Sequence, residues 1–306
     1  MPVRDGELFV DLAIRSIRAQ SHRDIEVIIV DDGSRDGTPE ILNRHAADDS
    51  RIRIIAIPPR GIVAALNHGI EAASGAMIAR MDADDIAKPE RLARQLEMLS
   101  RHPEAALVGS GYEVIDAAGR IRRSVSVPAA AAEIREALKH RNCIAHPTVL
   151  MRRDAVLAVG GYRRAFQQCE DYDLWLRLSE RYDLLNIDEP LLLYREHSGQ
   201  LTWSRLEQRI LSELAAGESA RCRSLGRSNP AEDIGPVTRR DLTAFGLGDA
   251  EIGAQIARRA FDAAREARRA GNRRAAWGAL GLAGRQEGLA SLISLRFWVG
   301  CARLLG

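Results

Sequence analysis

The stretch GAMIARMDADDIAKPERL, residues 75–92, decides the fold. A short run of apolar and small residues leads into Asp82, Asp84 and Asp85, and a proline and a helix-compatible segment follow. A buried strand that ends in so much negative charge needs something positive at its end. Carboxylates packed together repel, and each raises the pKa of its neighbours. A hard divalent cation relieves that repulsion, and Mg²⁺ characteristically combines one or two protein carboxylates with phosphate oxygens. The plain alternative is a strand–helix turn in which Asp85 caps the next helix.

Upstream, elements alternate regularly. ELFVDLAIRSIRAQ places Leu8, Leu12, Ile14 and Ile17 at near-helical spacing and predicts an amphipathic helix. IEVIIV is a continuous apolar run ending at Asp31–Asp32, the pattern of a strand covered on both faces. Helix PEILNRHAA, strand IRIIAI, the breaker PPRG, helix IVAALNHGIEAA and strand GAMIARM complete the series. Such alternation predicts an α/β fold with a mixed, mostly parallel, Rossmann-like sheet flanked by helices. Ligands of open parallel sheets bind beyond the carboxyl ends of the strands. The acidic groups at 31–32 and 82–85 should therefore converge on one edge, which MPVR, the stub of a further strand, also reaches. Taken alone, DDGS at 31–34 also reads as an ordinary turn. Neither G-x-G-x-x-G nor GxxxxGK[ST] occurs, so dinucleotide redox chemistry and P-loop phosphoryl transfer lose their usual support.

From 105 to 200 the pattern loosens. ALVGSGYEVI, IRRSVSV, TVLMR and DLLNI…LLLYR are expected strands, with helices around 130–140 and 171–181. In CEDYDLWLRLSERY, Leu174, Trp175, Leu178 and Tyr182 share one helical face, which sets Glu170 and Asp171 in the first turn. Acids there complement the helix dipole; the same dipole keeps Asp171 ionised, as a general base must be. His197, in LLLYREHSGQLT, is either a structural histidine or a metal ligand, and His146, before a proline, reads as loop structure. Beyond Trp203 the chain reads as helical and rich in Ala, Arg and Leu, so a boundary is expected near residue 200.

Composition agrees with a soluble globular protein. Of 306 residues, 46% are hydrophobic and 28% charged, with a net charge of +2 that implies no strong attraction to nucleic acid. The charge is uneven: residues 201–306 hold 17 arginines, no lysine and 11 acidic residues, so residues 1–200 are net negative. The four cysteines form no CxxC pair, which suggests neither a zinc site nor a disulfide framework. No signal peptide or run of about 18 apolar residues is seen, so a cytoplasmic location is expected.

Together MPVRDGE, AIRSIRAQSHRDIEVIIVDDGSRDGT and ALNHGIEAASGAMIARMDADDIAKPERL resemble family 2 glycosyltransferases of the GT-A fold, and CEDYDLWLRL and YREHSGQLT stand where later motifs of that family are expected. The resemblance covers roughly residues 1–202. It implies inverting transfer of a sugar from a nucleotide diphosphate sugar, UDP-linked in the commonest case, to an acceptor hydroxyl of a glycan or lipid-linked chain in bacterial surface polysaccharide or lipopolysaccharide synthesis. By the same resemblance Asp171 is the catalytic base, and Asp84 and Asp82 bind Mg²⁺ or Mn²⁺, with His197 as a third ligand. Pro2, Val3, Asp31, Asp32, Arg60, Asn67, Asp82 and Glu170 would contact the nucleotide sugar. It also implies a catalytic domain over 1–202, with a nucleotide-sugar half to about 104 and an acceptor half over 105–202; the residue pattern adds an expected helical region over 203–306. Family members carry more apolar residues before the first strand, so a stub at MPVR is expected to weaken the sheet where the nucleotide binds. Rival readings are a sugar-nucleotide pyrophosphorylase, which should open with a glycine-rich basic loop absent here, a phosphoacceptor signalling domain, which should end near 120 residues, and a non-catalytic relic of the transferase family. EGLASLISLRFWVGCARLLG, at 287–306, fits either a helix packed on the catalytic domain or one lying on the anionic inner face of the cytoplasmic membrane.

Overall fold

In a computed structural model, residues 1–197, 205–228, 235–269 and 271–287 are described. They form two compact units, Met1–Arg163 with Glu170–Ser198, and Arg164–Cys169 with Gly199–Gly306. The final apolar segment beyond Glu287, with its expected membrane role, lies outside the described residues.

The first unit opens with β1 (Pro2–Val3), α1 (Val10–Arg18), β2 (Val27–Asp31), α2 (Thr38–Asp48), β3 (Ile52–Ala56) and α3 (Ile62–Ala72). Strands β1, β2 and β3 make a parallel sheet in which Val3 pairs with Asp31 and Asp31 with Ala56. Val3, Val10, Ile14, Val27, Ile29, Leu42 and Ile52 form its core. In α1 the inward stripe is Val10, Ala13 and Ile14, with Ile17 partly covered, whereas Leu8 and Leu12 face solvent at 77% and 47% exposure. The expected helical face is thus rotated. The helix begins at Val10, so the i, i+3, i+4, i+7 series that meets the sheet counts from there.

Next come β4 (Met77–Ala79), β5 (Ile86–Ala87), α4 (Arg91–Arg101), β6 (Ala105–Ile115), β7 (Ile121–Val125), α5 (Ala131–Leu138), β8 (Leu150–Arg152), α6 (Arg153–Ala158), α7 (Glu170–Ser179) and β9 (Asp183–Arg195). They build a second sheet, in order β4-β8-β6-β9-β5, with β7 on β6. Here β4 does not join the parallel three: it runs antiparallel to β8, and the one parallel pair is β6 with β9. The fold is the expected mixed α/β one, with its parallel pairing concentrated in β1–β3. Gly111 marks a register shift between β6 and β9; a Cβ there would stand 2.7 Å from the carbonyl oxygen of Asp188.

Buried polar side chains on α4 fix β4 against its neighbours. Arg91 donates to the carbonyls of Arg80 (2.6 Å) and Val149 (3.2 Å), and Gln95 to those of Val108 (2.7 Å) and Thr148 (2.6 Å). Each satisfies backbone acceptors that helix packing would otherwise strand. A cavity of about 520 Å³ lies between the first sheet and β4, lined among others by Met1, Val27, Ile28, Ala65, Met77 and Ile78. The Met1 ammonium donates to the Ile28 carbonyl (2.8 Å), and burial brings its pKa down to about 5.

The second unit is helical where described: α8 (Leu206–Ser224), α9 (Arg239–Ala244), α10 (Asp249–Arg269) and α11 (Arg273–Glu287). A narrow face of α10, Ile256, Ala260, Ala263, Ala264 and Ala267, is buried, and Arg259 ties α10 to Glu213 of α8 at 2.8 Å. Val237 donates its N–H to Ala165, which binds the 164–169 segment into this unit. Among the described residues no helix is long and apolar enough to cross a membrane.

Candidate active site

Beyond β4 the chain turns sharply, and Asp82, Asp84 and Asp85 present carboxylate oxygens within 4.8 Å of one another. Asp85 is not a helix cap. Helix α4 starts six residues later at Arg91, and Asp85 instead accepts the backbone N–H of Arg195 at 2.8 Å through Oδ1. Its Oδ2 is buried without a hydrogen-bond partner. Desolvation, then the charges of Asp82 and Asp84, raise the Asp85 pKa well above the usual carboxylate range. Asp82 is raised too, by desolvation and by Asp84, although the Arg80 guanidinium opposes this from 2.6 Å.

Two arginines and a histidine frame the cluster. Arg80, buried on the strand side, pairs with Asp82. His197 Nε2 lies 3.1 Å from Asp84 Oδ2. Arg195, 1% exposed, donates through Nε to the Asp84 carbonyl (2.8 Å) and through one terminal nitrogen to the carbonyls of Asp116 and Ala117. Its guanidinium sits 4.6 Å from the Phe9 ring centroid, and the His197 ring lies 5.0 Å from the same ring. An all-oxygen donor set, a stranded buried oxygen and raised carboxyl pKa values suit a hard divalent cation better than a soft one. Asp82, Asp84 and Asp85 would hold it.

Asp31 and Asp32 are built differently. Both are buried, at 6% and 5% exposure. Asp31 accepts the Ser34 N–H (3.0 Å) and hydroxyl (2.6 Å), which shapes the turn after β2. Asp32 accepts the N–H groups of Arg60 (2.7 Å) and Gly61 (3.0 Å) and so fixes the loop leading into α3. The first nine residues link the two acidic regions. Val3 accepts the Asp32 N–H at 2.9 Å, and Ala83 packs on the core that contains Val3. Of the other residues named for the nucleotide, Val3 points into the core and Pro2 lines the 520 Å³ cavity. Arg60 reaches Asp32 through its backbone. The Asn67 amide is committed to Tyr162, donating to its carbonyl (2.8 Å) and accepting its N–H (3.0 Å).

Glu170 and Asp171 open α7, with Leu174, Trp175 and Leu178 buried behind them. Asp171 Oδ1 accepts the Tyr172 N–H at 2.8 Å, and Oδ2 accepts the Asn142 amide at 2.7 Å. Buried Tyr162 meets His146 Nε2 through its hydroxyl at 2.8 Å. Its pKa is pushed up by burial and by Asp171 and Glu170, and it interacts in turn with Arg80, the partner of Asp82. His146 is thus a core residue, and burial drives its pKa well down. Sequence reasoning placed Asp85 in the acidic cluster without naming it a ligand, and it missed Arg80, Arg195 and Asn142. A charged residue inside the apolar run MIARM was a signal for Arg80; nothing local marked Asn142.

Known proteins place these features. Residues 1–160 match the family model for "Glycosyl transferase family 2". O-antigen biosynthesis glycosyltransferase WbnJ of Escherichia coli is 34% identical over 65% of this chain and 78% of its own length. Amylovoran biosynthesis glycosyltransferase AmsE of Erwinia amylovora is 30% identical over 67% of this chain and 77% of its own. Among solved structures, S. aureus TarS 1–349 with UDP-GlcNAc aligns with a TM-score of 0.58 at 12% identity, over 91% of this chain and 88% of that one. Mannosyltransferase PcManGT from Pyrobaculum calidifontis, solved with GDP-Man and Mn²⁺, aligns at 0.54 and 17% identity, over 99% and 77%. The fold is that of the GT-A glycosyltransferases. The chain belongs to glycosyltransferase family 2.

Proposed function

We propose that the chain moves a sugar from a nucleotide diphosphate sugar, UDP-linked in the first instance, to an acceptor hydroxyl of a growing surface polysaccharide, with inversion at the anomeric carbon. The observation that carries this is the cluster of Asp82, Asp84 and Asp85 with the stranded Asp85 oxygen. A divalent cation held there, Mg²⁺ or Mn²⁺, would supply Lewis-acid neutralisation of the charge that develops on the leaving diphosphate. His197, 3.1 Å from Asp84 Oδ2, would help hold that cation beside Asp84. Asp171 is the base: its carboxylate takes the acceptor hydroxyl proton as the oxygen attacks the anomeric carbon and the diphosphate departs on the opposite side. One displacement needs one base, whereas a double displacement would also need a carboxylate nucleophile. Asp31 and Asp32 serve the nucleotide by holding the loops at 32–36 and 59–61 in shape. Residues 1–202 act as the catalytic domain, donor half first and acceptor half after about residue 105, and the basic region over 203–306 approaches an anionic or lipid-linked acceptor. The O-antigen and amylovoran roles in the relatives' names support the polysaccharide assignment.

A melting-temperature screen of the full chain with UDP, GDP and their sugars, with and without Mn²⁺ or Mg²⁺, tests the donor site. Asp171→Asn should keep the cation-dependent nucleotide shift and lose transfer by about 10²–10⁴-fold. Transfer by Asp171→Asn at the unsubstituted rate would overturn the base assignment.

A further inference from the structure

We propose that Asn142 is the positioning residue for Asp171: it holds the Oδ2 of the carboxylate and thereby sets the direction in which the base faces the acceptor. The inference rests on the reading of Asp171 as the base. Asn142 lies in the segment between α5 and β8, 29 positions before Asp171, and donates from Nδ2 to Asp171 Oδ2 at 2.7 Å. Which end of the amide points at Asp171 is fixed by a second bond, because Asn142 Oδ1 accepts the Ile144 N–H at 3.2 Å. An amide tied by its oxygen to a backbone donor can offer only its NH₂ group to the other side.

The carboxylate is constrained from both ends. The Tyr172 N–H takes Oδ1 at 2.8 Å, so rotation about χ2 of Asp171 would break one bond or the other. A second tether keeps the two segments in register: the Tyr172 hydroxyl donates to the Leu138 carbonyl at 2.7 Å, joining the first turn of α7 to the end of α5. With Oδ2 held by the Asn142 amide and Oδ1 by the Tyr172 N–H, the orientation of the carboxylate is set by Asn142. Misplacing a reacting group by a fraction of a bond length is costly in rate, because the attacking geometry is narrow. Asn142 is exposed and its contacts are polar, so a contribution to core stability is small by comparison.

The experiment compares Asn142→Asp with Asn142→Ala in the full chain, measuring kcat and KM for donor and acceptor alongside melting temperature. Asn142→Asp keeps an oxygen for the Ile144 N–H, and so keeps the loop, but sets a repelling carboxylate against Asp171. The expected result is a loss in kcat of between about 10- and 100-fold for Asn142→Asp, with donor KM changed less than about threefold and melting within a degree or two of the unsubstituted chain. Asn142→Ala should lose less, since it removes the donor without adding repulsion. Unchanged kcat in Asn142→Asp overturns the inference, and so does a fall in kcat that only accompanies a fall in melting temperature. Asp171→Asn run in parallel separates the two ideas: if it is inactive while Asn142→Asp is fully active, the base stands and the positioning role falls. If Asp171→Asn is fully active, the base itself falls.

Discussion

Asp31–Asp32 and Asp82–Asp85 look alike on paper, each a knot of aspartates at the end of an apolar strand, and the molecule treats them in opposite ways. The first pair is held chiefly by backbone donors, the N–H groups of Ser34, Arg60 and Gly61, with the Arg4 guanidinium farther off at 3.9 Å from Asp32. The second group crowds three carboxylates within 4.8 Å, and one buried oxygen has no donor. Backbone N–H groups can complete a buried carboxylate and make a rigid loop. Like charges stacked against each other can be completed only by a cation or by protons. A loop and an ion site therefore differ less in residue type than in who answers the carboxylate.

The largest test of that difference is Asp84→Asn, which should abolish the cation-dependent nucleotide shift and cut transfer by at least about 10²–10³-fold, while melting of the cation-free protein is unchanged or higher. Asp32→Ala should do the reverse in kind: it strands the N–H groups of Arg60 and Gly61 and costs about 1–3 kcal/mol of stability, read by urea denaturation with and without Mn²⁺. A cation-free Asp32→Ala as stable as the parent would break the comparison. Asp85→Asn keeps the acceptor for the Arg195 N–H and removes a like charge. It should stabilise the cation-free protein by about 1 kcal/mol at neutral pH and weaken Mn²⁺ binding, as calorimetry would show.

The smallest effect is in pH. The folded pKa values of Asp82 and Asp85 lie above the ordinary carboxylate range, so their protonated forms are favoured in the folded chain. Whatever stability they contribute is present below the unfolded pKa and is lost as pH rises through the raised folded values. Mn²⁺ needs the deprotonated groups. The melting gain on adding Mn²⁺ should accordingly grow as pH rises from the ordinary carboxylate range toward neutrality; a gain independent of pH would show that the cation does not compete for these protons.

What was legible in the sequence follows the range of the interaction. The run IEVIIV is a strand because burial on both faces leaves a continuous apolar signature, whereas the strand in MIARM, Met77–Ala79, is only half-buried and is marked by its flanking turn residues. Asp82, Asp84 and Asp85 could be grouped because one turn brings them together. Leu8 and Leu12 misled because apolar character does not say which face meets the sheet, and only the start of α1 at Val10 does. The partner of β4 could not be read, since pairing with β8 joins Met77 to Arg152 across the intervening helices. Asp85 with Arg195 and Asp171 with Asn142 are likewise long-range pairs, 110 and 29 positions apart, that leave no periodic trace.

The last strand of the first unit carries a consequence for synthesis. Asp85 leaves the ribosome 110 residues before Arg195, and Asp84 leaves 113 before His197. At translation rates of about 5–20 residues per second, the acidic turn waits roughly 5–20 s for the end of β9 and the residues just after it, which supply both. Nascent chains halted before β9 would expose an incomplete anionic turn, open to ions and chaperones alike, and the enzyme becomes itself only when that strand docks.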